Sequence, residues 1–120
     1  MAIGGDAAAQ LWNASSSGQL RMEPDAAREV ALSYLRFAGM CDEWVKDAEM
    51  LRTIHGFGSL ASAQQLQTGF AEKAVRAKEV LGQLATAARG MADGYLKAAG
   101  ILSEADELTA TALSNLPGQA

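Results

Sequence analysis

From Glu23 onward the apolar residues return at alternating steps of four and three. Val30, Tyr34, Phe37, Cys41, Trp44, Ala48, Leu51 and His55 make one series; Phe70, Ala74, Ala77, Leu81, Leu84, Ala88, Met91, Tyr95, Ala98 and Leu102 make a second. A mean step of about 3.5 is the heptad rhythm of helices that wrap left-handedly on a partner. Two such series predict two long helices packed at a shallow angle of about 20°.

The boundaries follow from local chemistry. Glu23-Pro24-Asp25 starts the first helix: proline at the first helical position loses no hydrogen bond, and Asp25 faces the positive end of the helix dipole. Asp42 and Lys46 make a favourable pair four apart on the polar side. Gly56 suits the left-handed position past a helix end, and Gly58 adds a second freely turning residue. Ser62 with Gln65 reads as a capping box. The predicted order is an arm over residues 1–22, a helix over about 24–54, a turn over 55–61, a helix over about 62–100, a short continuation over about 103–115 and a tail over 117–120. A turn that short makes the helices antiparallel neighbours. Phe57 either plugs the open end of the hairpin or makes an exposed contact. Gly100 breaks the second helix, Ser103 caps the continuation, and Pro117-Gly118 ends it. In the arm, "DAAAQLWNA" forms two turns capped by Asp6, with Trp12 as its anchor; the arm is either loose or docked.

The fold class predicted is therefore all-α: an antiparallel, coiled-coil-like two-helix hairpin. Its apolar face is wide. Ala31, Ala38, Val45, Met40 and Ile54 flank the first seam; Ala71, Ala85, Ala92, Ala99, Val80, Ala87 and Gly94 flank the second, where a self-sufficient two-stranded coil carries Glu and Lys. Leu32, Leu35, Val75 and Leu96 lie further round, and Gly90 and Gly94 suit close helix approach. At roughly 25 cal/mol per Å², leaving that surface wet forgoes several kcal/mol. Pairing with a second hairpin into a four-helix bundle covers it; the alternative is that arm and tail fold back over it.

Composition narrows the function. The net charge of −4, with Lys and Arg scattered, gives no basic patch for nucleic acid. One cysteine excludes an internal disulfide, and Cys41 reads as a small buried apolar residue. The first twenty residues lack a basic start and apolar block, so no secretory signal peptide is read, and no apolar run spans a membrane. His55, the single histidine, has no ligand-spaced companions, so neither a metal nor a cofactor is expected. "GFGSL" follows no strand and precedes no Lys-Ser/Thr, so it is not a phosphate loop. No nucleophile, base and orienting group assemble, and the expectation is a protein that is not an enzyme.

The glycine–aromatic–glycine turn Gly56-Phe57-Gly58 between heptad helices resembles the small ESX-type (WxG) proteins of type VII secretion. "GQLRMEPDAAREVA", "GFGSLASAQQLQTGF" and "YLKAAGILSEAD" look like a divergent actinobacterial branch of that group, over residues 18–108. The resemblance implies homo- or heterodimers forming four-helix bundles, export by a signal-peptide-independent route to the envelope or medium, and contact with a secretion ATPase or effector. It also implies a Tyr-x-x-x-Asp/Glu signal after the second helix. Tyr95 is followed four residues later by Ala99, while Leu102 with Asp106 has the looser form. The partner is then the chain itself or another small hairpin. Two rival readings are a cytoplasmic adaptor or chaperone and a toxin-neutralising (immunity) protein.

Overall fold

The computed structural model describes residues 3–52, 58 and 60–116. Among these residues the chain is all-helical: α1 (Gly5–Ser16), α2 (Pro24–Arg52), α3 (Ala61–Ala98), a 3₁₀ turn (Leu102–Glu104) and α4 (Ala105–Ser114). His55, Gly56, Phe57 and the side chain of Leu51 lie outside the described residues.

The start of α2 is set by Glu23. Its carboxylate accepts the amides of Asp25 (3.0 Å) and Ala26 (2.9 Å), which satisfies two of the four N–H groups a helix start leaves open. Those two bonds also hold its pKa below the usual carboxylate range. The end of α3 is set by Gly100, at φ +72°. The Ile101 amide reaches the Leu96 carbonyl (2.9 Å) and the Gly100 amide the Lys97 carbonyl (3.0 Å). This is a Schellman cap, and Ile101 packs back on the Leu96 cluster. Three expectations are corrected here. Ser62 does not cap α3, which begins one residue earlier after Leu60 without a side-chain cap. Ser103 does not cap α4; it lies inside the 3₁₀ turn. Asp6 is a first-turn residue, since α1 starts at Gly5 and runs three turns. Asp6 and Ser62 lie inside the first turns of their helices, whereas Ser103 lies one residue before the α4 N-cap position, Glu104.

Helices α2 and α3 run in opposite directions against each other. Tyr34 stacks on Tyr95 (5.9 Å between ring centres), Asp42 pairs with Arg89, and Glu49 pairs with Lys78. Their contact is built mainly from small residues. Ala38, Cys41, Ala85 and Ala88 form one buried cluster; Ala31, Leu35, Ala92 and Leu96 form a second with Leu108 and Ala112 of α4. The seam thus sits about one residue round from the expected series. Cys41, Ala48, Ala74 and Ala88 belong to both, but Ala31, Ala38, Ala85 and Ala92 are buried where Val30, Phe37, Leu84 and Met91 were expected. Both registers have the same 4-3 rhythm. The alanine register lets the two backbones approach closely and gain dispersion contact along their length. It moves the larger side chains to the rim.

The arm and the tail both dock. α1 lies on the side of α3 opposite α2, and α4 lies on α2 beside the α3 terminus; among the described residues α1 and α4 do not meet. Arg28 fixes the α4 end. Its guanidinium donates to both oxygens of Glu104 (2.8 and 2.9 Å) and to Asp25 (2.7 Å). The result is a slab of 62 × 35 × 16 Å.

Candidate interaction surfaces

α1 is seated on α3 by glycines. A Cβ at Gly94 would stand 2.7 Å from Leu11 Cγ, and one at Gly90 would stand 3.1 Å from the Ala8 Cβ. The Ser15 hydroxyl donates to the Gly94 carbonyl (2.8 Å), and Lys97 Nζ lies 4.0 Å from the centre of the Trp12 ring. α4 is seated on α2 in the same way, with Leu116 filling the space a side chain at Gly39 would need (3.0 Å). Gly39 was not singled out from sequence. A glycine near the middle of an otherwise strong helix is the one signal that marked it, since it costs about 1 kcal/mol against alanine.

These contacts change which residues face outward. Of the expected partner-facing positions, Leu35 and Leu96 are buried in the cluster under α4, Leu32 packs on its edge, and Gly90 and Gly94 lie under α1. At those positions the chain covers itself, because α1 and α4 each bring an apolar edge of matching length. Val75 remains exposed.

The open surface lies elsewhere. Gly39 faces α4, and Phe37 stands two residues away, about 200° round the helix, so it points to the other side. Val30 and Trp44 share that side by seven-residue spacing. On α3, Leu84 borders the same cluster as Phe37, and Met91 follows at the same spacing. Val80 lies one turn before Leu84. Trp44 is 45% exposed and Val80 42% exposed; Val30, Phe37, Leu84 and Met91 are half-buried. The expected seam residues therefore form a shared apolar side of the α2/α3 pair, their edges packed inward and their outer halves in water. Tyr34, Leu81 and Tyr95 sit just inside it, half-buried. Burial, then the adjacent Tyr34, pushes the Tyr95 hydroxyl up. Cys41 is fully buried, and burial likewise raises its thiol pKa.

Phe70 is 43% exposed, near the N-terminal end of α3. Of the residues the resemblance singled out after the second helix, Tyr95 is held against Tyr34, Leu102 is exposed in the 3₁₀ turn, and Asp106 is exposed in the first turn of α4. Their four-residue interval crosses from 3₁₀ to α geometry. Gly58 is exposed with φ +92°.

Among the described residues no group of three or more His, Cys, Asp and Glu is placed to hold a metal ion, and no helix is long and apolar enough to cross a membrane. No family model matches the chain, and neither a curated protein nor a solved structure matches it.

Proposed function

We propose that this is a non-enzymatic, ESX-like helical-hairpin protein that pairs with itself or with another small hairpin, and that the pair is exported by a type VII secretion system. The observation that carries the reading is the apolar side of α2 and α3 that α4 leaves open, with Val30, Phe37 and Trp44 on one helix and Val80, Leu84 and Met91 on the other. From Val30 to Trp44 that side runs about 21 Å and is about two helices, or 20 Å, wide, a footprint of about 400 Å². A standard interface takes about 800 Å² from each partner, so the flanks of this side join the contact. A second hairpin laid across it completes a four-helix bundle, with heptad-spaced Phe37, Trp44 and Leu84 as its central knobs.

The first test is mass in solution, alone and with the product of an adjacent gene. A pair is expected in one of the two cases, and Trp44→Ser, at an exposed position of that side, should weaken it towards monomer. The second test is location. The protein should accumulate in culture medium only when the secretion ATPase is intact. Retention in cells with pairing intact would replace export with the adaptor reading.

A further inference from the structure

The side of α3 turned away from α2 is one continuous strip, and among the described residues only its C-terminal part is covered. There α1 lays Ala8 on Gly90 and Leu11 on Gly94. Beyond Ile3 the strip opens into a groove of about 790 Å³. Its floor is Gly82 and Thr86, and Ile3 and Val75 make exposed apolar walls. A Cβ added at Gly82 would meet nothing within 4 Å.

The polar groups of the floor are already paired. The Thr86 hydroxyl donates to the Gly82 carbonyl (3.0 Å), the Gln83 side-chain oxygen accepts the Ile3 amide (3.2 Å), and Lys78 is paired with Glu49. The groove thus offers an occupant apolar contact and few hydrogen bonds. It is the prolongation of an interface whose occupant is known, since the same face, a few turns further along, holds a helix with an alanine–leucine edge.

We propose that this groove receives an amphipathic helix of a partner protein, laid on α3 as α1 is. Its apolar edge would carry Ala and Leu at Ala-x-x-Leu spacing, matching Ala8 and Leu11. Its flank would carry Lys or Arg, because Glu79 stands exposed at the groove's edge. The part of the strip clear of α1, from Val75 to Thr86, accommodates a helix of about three turns. Helix-in-groove recognition works through such anchors at three- and four-residue spacing. The site lies on a different side of α3 from Val80, Leu84 and Met91, so it does not depend on the pairing proposed above.

The test uses the whole chain, labelled with nitrogen-15, and a synthetic helical peptide with a repeated Ala-x-x-Leu edge, lysines flanking that edge and blocked ends. Saturable shifts are expected at Ile3, Val75, Gly82 and Thr86. Gly82→Leu should weaken binding about tenfold or more by filling the floor. It should leave the melting temperature unchanged or higher, because leucine replaces glycine in an open helix position. Glu79→Lys should weaken binding several-fold, and Trp44→Ser should change nothing. The proposal is overturned by absence of saturation, by shifts centred on Leu11 and Gly94 (displacement of α1), by shifts centred on Phe37 and Leu84, or by equal affinity in Gly82→Leu.

Discussion

Over residues 85–98, α3 has α2 on one side and α1 on the other, and α4 closes over its end. Over residues 61–73 it has no buried residue, and Leu66 and Phe70 are both exposed. The two stretches have similar composition: alanine, glycine, a few large apolar side chains and scattered charge. What differs, among the described residues, is the number of helices packed against each stretch. Residues 85–98 are held by packing on both sides, whereas residues 61–73 bury no side chain and owe more to helix propensity, which alone is marginal at such lengths. A glycine that is a seat for another helix in one half is an empty position in the other.

The largest test of that contrast is a matched pair of truncations. Leu96→Ala removes a fully buried side chain and should cost about 2–4 kcal/mol. Leu66→Ala should cost under about 0.5 kcal/mol. Urea midpoints measure both, and equal losses would erase the distinction.

The same glycine substitution should next give opposite signs. Gly94→Ala drives a Cβ to 2.7 Å from Leu11 and should destabilise by about 1–3 kcal/mol. Gly69→Ala meets nothing within 4 Å and should stabilise by about 0.5–1 kcal/mol. Thermal melts of the two variants decide the matter.

The Arg28–Glu104 pair tests how the covered end is closed. Hydrogen bonding to Arg28 is the main reason Glu104 titrates below its ordinary 4.5. A lowered carboxylate stabilises above its unfolded value, and that contribution disappears as pH falls through the folded one. Glu104→Gln should therefore lower the melting temperature modestly at pH 7, since the pair is partly solvent-screened, both side chains being about one-third exposed. The cost should shrink towards pH 3. A pH series of melts in which the wild-type and variant curves stay parallel would rule this out.

The smallest effect has the reverse sign. Burial, then Asp106, raises the Asp93 carboxyl above its ordinary 3.8. Its charged form is disfavoured in the fold, so it works against stability above its folded value and is neutral below 3.8. Asp93→Asn should raise stability slightly at pH 7, by well under about 1 kcal/mol. The gain should fade on acidification, and calorimetry at pH 7 and pH 3 would detect it. A larger gain at pH 3 would contradict the assignment.

The chain's own pattern determined a good deal. Alternating steps of four and three fixed two long helices. Pro24 with Glu23 fixed where the first begins, and Gly100 where the second ends, because these residues act through their own backbone neighbours. Tertiary structure alone decided which face of each helix turns inward. Two heptad registers share Cys41, Ala48, Ala74 and Ala88, and differ in whether Ala31, Ala38, Ala85 and Ala92 or Val30, Phe37, Leu84 and Met91 are enclosed. Hydrophobicity favours the larger set, whereas close backbone approach favours the smaller. The balance depends on α1 lying on Gly90 and Gly94 and on α4 with Leu116 lying on Gly39. Those contacts join residues about eighty apart in the chain, and a local rhythm carries no information at that range.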